Sequence, residues 1–305
     1  ELNPDEQVWN HAKSRLSKLP IASKEAMKVA VLSDVQANLP PMEAVVEHIL
    51  DWDPDLVISN GDLVNRGPSS LACLKLFESL QQQYDWIALR GNHEDYVLYC
   101  NRTEPGHGLE TSLRQFTDWT VQQLGEQISQ LEKWPDHYCF HAPNDLLSWV
   151  QITHGTLAGN RHGVLKNSSD SELAEIIPSG LSVFVTAHTH RPLIRQLGMT
   201  QIINVGSAGS PFDGDKRASY GQLHYHKGAW NTKIVRLDYN REKAEQDYID
   251  SGFLEEGGPM ARLIFEEWRR ARGFMPQWHR YLNERSIDNE LNLQDALNTF
   301  LTRMD

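Results

Sequence analysis

The chain has 305 residues, 40 % hydrophobic and 23 % charged, with 41 acidic against 29 basic side chains and a net charge of −12. No apolar run reaches the roughly 18–20 residues that span a bilayer, and the acidic balance opposes indiscriminate binding to a nucleic-acid backbone. It leaves a phosphate ester substrate open, because metal ions and one or two arginines supply positive field where it is needed.

Residues 1–26 read as an N-terminal arm. They begin without Met, as Glu1-Leu2-Asn3-Pro4-Asp5-Glu6, and lack the basic and apolar regions of a signal peptide, so none is expected. Three cysteines, Cys73, Cys100 and Cys139, have no CxxC spacing, which points to structural thiols in a reducing cytoplasm. The first strand is predicted over 27–33, where Val29, Ala30, Val31 and Leu32 form a run suited to burial on both faces. Pro40 and Pro41 open a helix whose inward face carries Met42, Val45, Val46, Ile49 and Leu50. A second strand follows over 55–60. A helix capped by Ser69 or Ser70 then runs through Leu80, and a third strand occupies 86–90. This β-α-β-α-β alternation argues for a layered α/β fold with a sheet covered on both sides.

Residues 95–135 read as mostly helical, an insertion placed to cap a site, with Leu113, Phe116, Trp119, Leu124, Ile128 and Leu131 on one face. Strands are predicted again over 138–142, 148–153, 183–187, 193–196, 201–205, 221–226 and 229–237, with turns at Asn144-Asp145 and Lys227-Gly228. Residues 238–305 return to helix, with one apolar set at Leu263, Ile264, Phe265 and Trp268 and a second at Leu291, Leu293, Ala296, Leu297, Phe300 and Leu301. The aromatics Phe253, Phe265, Trp268, Phe274, Trp278 and Tyr281 suggest a packed appendage that covers an edge of the sheet structure or makes a homo-oligomer contact.

Five polar clusters fall where predicted strands hand over to loops: Asp34-Val35-Gln36, Gly61-Asp62 through Arg66-Gly67, Gly91-Asn92-His93-Glu94, Thr153-His154-Gly155 and Ala187-His188-Thr189-His190. Ligands of α/β sheets bind at the carboxyl ends of strands. Two divalent metals need a bridging carboxylate, further oxygen and imidazole ligands, and room for water and substrate; Asp34, Asp62, Asn92, His154, His188 and His190 supply that set. Imidazole with carboxylate favours manganese, iron or zinc over magnesium.

On these residues, with Ile203-Asn204-Val205-Gly206-Ser207 and the 213–220 stretch, the region 27–237 resembles the calcineurin-like metallophosphoesterase superfamily. It is similar to both the small bacterial phosphoesterase branch and the branch of diadenosine tetraphosphatases and Ser/Thr protein phosphatases. The resemblance implies a four-layer α-β-β-α sandwich holding two divalent metal ions, manganese first with iron, zinc or nickel as alternatives. It implies that Asp62 bridges the metals, that Asp34 and His190 bind the first, and that Asn92, His154 and His188 bind the second. The family has His where this chain has Gln36, whose carbonyl is a poorer ligand; Gln36 either coordinates or hydrogen-bonds a neighbouring ligand, and a weakened first site is expected. By the same resemblance His93 protonates the leaving group. Arg66 is the candidate for gripping non-bridging phosphate oxygens, because a guanidinium matches them bidentately. Asn65 stands where the protein phosphatase branch has an Asp that orients the catalytic His, so either another acid such as Glu94 or Asp95 substitutes or proton donation is less effective. Arg191 and Arg217 are candidates for the distal part of a substrate.

The expected activity is hydrolysis of a phosphate ester of a small molecule, a nucleotide first, by a metal-bridging hydroxide. Hydrolysis of a dinucleoside polyphosphate or a phosphoprotein is the alternative in the same chemistry. A non-catalytic metal-binding scaffold is the alternative of another class.

Overall fold

The computed structural model describes residues 25–285 and 293–304. The expected arm, apart from its last two residues, and Leu291 of the second apolar set lie outside the described residues. Ten strands form two five-stranded sheets among the described residues. The first sheet contains β1 (Ala26–Leu32), β2 (Leu56–Asn60), β3 (Ile87–Leu89), β9 (Ala218–His226) and β10 (Ala229–Leu237), in the order β10-β9-β1-β2-β3. The second contains β4 (His137–Ala142), β5 (Asp145–Thr153), β6 (Val183–Thr186), β7 (Leu193–Leu197) and β8 (Thr200–Asn204), in the order β4-β5-β6-β8-β7. β1, β2 and β3 are parallel, as are β5, β6 and β8; antiparallel strands close both edges of the second sheet and the β10 edge of the first, whose other edge is the parallel strand β3.

The alternation inside β1 explains why its apolar run is unbroken. Met27, Val29 and Val31 face the space between the sheets, with Ile58, Phe140, Val150, Ile152, Val185, Ile203 and Leu223. Ala30 and Leu32 face the other way, onto Val45 and Ile49 of α1 (Leu39–Trp52) and Leu74 and Phe77 of α2 (Ser70–Tyr84). Successive side chains of a strand point to opposite faces, so a strand apolar throughout is a strand covered twice. On the outer face of the second sheet, Phe184 and Ile202 pack against Leu173 and Ile177 at α5 (Asp170–Ile176). The result is a four-layer α-β-β-α sandwich.

α1 carries its two prolines in the first turn, where no helical N–H is lost. Ser69 takes the N-cap position of α2 but makes no side-chain cap bond. The Ser70 hydroxyl instead accepts the Asn65 N–H at 3.1 Å and anchors the loop after β2. α3 (Asn92–Arg102), α4 (Leu109–Leu124) and a 3₁₀ turn (Gly125–Lys133) fill the region expected to be helical. One side of α4 meets the loop after β2, where Thr117 and Thr120 both hydrogen-bond Asn65.

Of the C-terminal helices α6 (Arg241–Asp250), α7 (Phe253–Glu256), α8 (Gly258–Arg270), α9 (Met275–Arg285) and α10 (Leu293–Met304), α7 and α8 meet the other side of α4, for instance with Trp119 edge-on to Phe253 at 5.1 Å. These helices share a core of Tyr248, Phe253, Leu263, Ile264, Trp268, Phe274, Trp278 and Phe300 that also takes in Phe116 of α4. The aromatic appendage therefore packs on the helical insertion. No described helix is long and apolar enough to cross a membrane.

Candidate metal centre

The loops after β1, β2, β3, β5 and β6 meet at one end of the sandwich, and backbone hydrogen bonds fasten them together. Asp34 N–H donates to the carbonyl of Gly61 at 3.0 Å, Gln36 N–H to that of Asp62 at 2.9 Å, and Gly209 N–H to that of Asp34 at 3.0 Å. The Ser207 hydroxyl donates to the same Asp34 carbonyl at 2.7 Å. Asn204 holds the 187–190 turn through the Ala187 carbonyl at 2.7 Å and the Thr189 hydroxyl at 2.9 Å, a positioning task. Seven residues here, Asp34, Gln36, Asp62, Asn65, Arg66, His188 and His190, have left-handed backbones with φ between 52° and 70°. Gly91 is required by proximity: a Cβ there would lie 2.2 Å from Asp62 Oδ1 and 2.7 Å from Asp62 N.

These turns bring all seven sequence-predicted ligand candidates into one connected cluster. Asn92 Oδ1 lies 3.1 Å from His154 Nε2 and 2.8 Å from His188 Nδ1. Asp62 Oδ2 lies 3.3 Å from His154 Nε2, and Asp34 Oδ1 lies 3.1 Å from His190 Nε2. Gln36 donates its Nε2 to Asp62 Oδ2 at 3.1 Å, leaving its own Oε1 buried without a hydrogen-bond partner among the described residues. Asp34, Asp62 and His154 are all buried, with ligand atoms within 4.8 Å of one another.

The imidazole orientations decide what such a cluster is for. His154 Nδ1 faces the Asn60 carbonyl at 2.8 Å and His190 Nδ1 faces the Ser210 carbonyl at 2.5 Å, so each of these nitrogens carries the proton. In a neutral ring the other nitrogen, Nε2, then presents a lone pair. In both residues that lone pair is aimed at oxygen acceptors: Asp62 and Asn92 for His154, Asp34 for His190. Lone pairs converging on lone pairs repel unless a positive centre lies among them.

One resolution is a proton. Burial alone would push His154 down, but the carboxylates of Asp62 and Asp34 outweigh it and raise this group to about 10. Burial likewise pushes Asp62 and Asp34 up. The histidines around them prevail and hold both below the usual carboxylate range: His154 and His93 for Asp62, His190 and His154 for Asp34. The other resolution is a divalent cation, which satisfies every converging acceptor at once. A ligating His that hands its second N–H to a backbone carbonyl is the usual arrangement around metals. The donor set therefore fits a metal. Burial, with His154 next to it, lowers His188 to about 4, which suits a neutral ligand.

Neither proposed substitute for the missing Asp contacts His93. Glu94 accepts four backbone N–H groups: Asp62 at 2.8 Å, Leu63 at 2.8 Å, Val64 at 3.2 Å and Gly91 at 2.8 Å. Burial first, then the Asp62 charge, pushes this carboxyl up to about 7 in spite of those bonds. Asp95 pairs with Arg90 at 2.7 Å and accepts Asn160 Nδ2 at 2.5 Å. It is Asn65 itself, with Nδ2 3.1 Å from His93 Nδ1, that orients the ring. Burial lowers His93 to about 3, with Arg66 adding to the effect and Asp62 opposing it. The His93 backbone N–H also donates to Asp62 Oδ1 at 2.8 Å.

Arg66 is buried beside the cluster. Its guanidinium lies 6.0 Å from the ring of Phe212, which in turn stacks on His190 at 4.2 Å. It is ion-paired with the fully buried Glu267 of α8. Arg191 is exposed and donates to the Phe212 carbonyl at 3.2 Å, whereas Arg217 is committed to Asp215 at 2.7 Å. Sequence reasoning missed Phe212 and Glu267, and no local pattern marks either. It named Glu94 only as a substitute for the missing Asp and missed its hold on the backbone, for which the Gly91-to-Glu94 spacing at a helix start is the usable signal. Cys73, Cys100 and Cys139 form no disulfide, and the first two are buried.

The calcineurin-like phosphoesterase family model matches residues 27–192. A symmetrical bis(5'-nucleosyl)-tetraphosphatase of Pseudomonas syringae pv. tomato is 36 % identical over 127 residues, covering 41 % of this chain and 34 % of the relative. Its counterpart in Pseudomonas syringae pv. syringae is 28 % identical over 126 residues, covering 41 % and 35 %. The chain thus spans about a third of the length of these curated relatives. A solved metallophosphoesterase from Sphaerobacter thermophilus shares the fold at a TM-score of 0.62 and 23 % identity, over 81 % of this chain and 99 % of that one. Matched from its first strand through the turn that ends at His190, the stretch that holds every converging ligand candidate, the chain belongs to the calcineurin-like phosphoesterase family.

Proposed function

We propose that this chain is a dinuclear metal-dependent phosphoesterase that hydrolyses a phosphate ester of a small molecule, a nucleotide first. The observation that carries this reading is the convergence of His154 and His190 lone pairs on the Asp62, Asn92 and Asp34 oxygens. Asp62 would bridge the two cations. Asp34 and His190 would hold the first, and Asn92, His154 and His188 the second. Gln36, donating to Asp62, steadies the bridge more than it coordinates, which leaves the first site one imidazole short. When bound, the cations would supply an activated water and neutralise charge on the phosphoryl oxygens.

Arg66 binds non-bridging phosphate oxygens at the Phe212 side of the site. His93, held through Nδ1, presents its other nitrogen to the leaving oxygen. A neutral ring cannot act as a strong acid, so protonation of His93 depends on the negative charge that a phosphate dianion brings beside it. Family membership and the nucleotide-cleaving relatives support a nucleotide as substrate; a dinucleoside polyphosphate is the version of this reading that those relatives favour.

Turnover of p-nitrophenyl phosphate and its bis ester, with manganese added and then removed by chelation, tests the proposal. Activity that follows the metal supports it. No turnover by well-folded protein with any divalent metal would leave the scaffold reading standing instead.

His93→Ala is expected to lower turnover of a nucleoside monophosphate about 10²-fold, within the range for loss of a general acid. Turnover of p-nitrophenyl phosphate, whose leaving group needs little protonation, should fall far less. Parallel kcat measurements on the two substrates read this split, and equal losses on both would remove His93 from the acid role.

A further inference from the structure

We infer that Glu267, on the C-terminal helix α8, is the positioning residue for the phosphate grip of Arg66, so that the C-terminal extension is part of the site. This rests on the phosphoesterase reading above and extends it to residues beyond the family-matched region, which ends at 192.

The geometry is specific on both sides of the carboxylate. Glu267 is fully buried. Its Oε2 pairs with Arg66 Nη2, while its Oε1 accepts the N–H groups of Phe274 at 2.5 Å and Met275 at 2.9 Å. One oxygen therefore fixes the turn between α8 and α9, and the other reaches out of that turn to the guanidinium. The same turn locks onto the loop that carries Phe212. The Gly214 N–H donates to the Ala271 carbonyl at 2.9 Å, and a Cβ at Gly273 would lie 3.0 Å from the Phe212 ring. Tyr248 of α6 donates its hydroxyl to the Arg66 carbonyl at 3.4 Å.

Arg66 is thus held from the C-terminal extension at its backbone and at one end of its guanidinium. On the same edge of the fork, Nε is buried and has no hydrogen-bond partner among the described residues. A guanidinium has a planar fork of donors, and fixing one edge with a carboxylate aims the remaining N–H groups. A buried donor left unpaired is costly, and a phosphoryl oxygen is the acceptor the proposed chemistry would bring to it. An arginine free to swing would lose this aim each time substrate left. One tethered by Glu267 keeps it.

The test uses the full chain loaded with manganese and two probes, p-nitrophenyl phosphate for turnover and inorganic phosphate for binding by calorimetry. Glu267→Gln keeps an oxygen for the Phe274 and Met275 N–H groups and removes the charge opposite Arg66. It is expected to raise KM and the phosphate dissociation constant about tenfold each, with kcat changing less than about threefold. In an Arg66→Ala background, Glu267→Gln should have no further effect on either constant, because the two side chains act as one unit.

An unchanged phosphate constant in Glu267→Gln, or effects of the two substitutions that simply add, would overturn the assignment. If Glu267→Gln does not fold, Glu267→Asp, which keeps the charge but withdraws it by one methylene, carries the same comparison. Phosphate binding is read without turnover. An inactive wild-type protein whose phosphate affinity still drops in Glu267→Gln would therefore sink the hydrolase reading and keep this one.

Discussion

Asp62→Asn is expected to lower turnover about 10³-fold, with the fold intact. The Asp62 carboxylate accepts the His93 N–H on Oδ1 and the Gln36 amide on Oδ2, and lies beside His154 Nε2. It lies between Gln36 on the first proposed metal side and His154 on the second. A bridging ligand that loses its charge cannot hold two cations close, and several kcal/mol of transition-state stabilisation, about 4, corresponds to roughly 10³ in rate.

The same substitution separates chemistry from folding. Without a cation, His154 and His93 favour the Asp62 carboxylate more than Asp34 repels it, so neutralising Asp62 should lower the unfolding temperature of the metal-free protein. What should disappear is the rise that manganese gives the wild type, since a ligand that binds only the native state stabilises it in proportion to its affinity. Thermal unfolding with and without manganese, alongside initial rates, checks both halves. Wild-type turnover at saturating manganese would remove Asp62 from the bridging role.

Glu94→Ala is expected to be the most damaging change to stability near the site, at about 4 kcal/mol. Its carboxylate accepts the N–H groups of Asp62, Leu63, Val64 and Gly91, and each hydrogen bond of this kind is worth about 1 kcal/mol net, more where the orphaned group stays buried. For a chain of this size that is a fall in unfolding temperature on the order of 10 °C. Glu94→Gln should be no milder, because its amide would turn donors towards donors. Urea or thermal unfolding decides it, and a shift of a degree or two in Glu94→Ala would contradict the account. Activity should fall as well, since the loop that Glu94 holds is the one that carries Asp62.

The strands were the most legible part of the sequence. Short runs such as Val29–Leu32 and Val183–Thr186 are apolar because both of their faces are covered, and sequence shows that directly. The strand order of the second sheet was not legible, because the pairing of β6 with β8 skips the hairpin strand β7 and leaves no local trace. α5 was overlooked although Ser169 and Glu172 spell a capping box, and the structure shows that box closed in both directions.

For the site, ligand types and their place at strand ends were readable, and the five loops do converge. The partners of Arg66 were not. Glu267 lies 201 positions further along, on a helix whose pattern reports only its own apolar face. Gln36 was read as a weak ligand or a hydrogen-bonding neighbour, and its amide contact with Asp62 is of the second kind.

The left-handed backbones at Asp34, Gln36, Asp62, Asn65, Arg66, His188 and His190 carry a consequence for how the centre responds to change. Each is a conformation that L-residues avoid by about 1 kcal/mol, so the loops resemble bent springs clipped in place by their mutual hydrogen bonds. Glycine at His188 would relax that tension and give up only one side-chain hydrogen bond, to Asn92, while erasing a proposed ligand. Selection for robustness and selection for catalysis therefore pull in opposite directions at these positions. Tolerance to heat should be easiest to gain where the protein can least spare its chemistry.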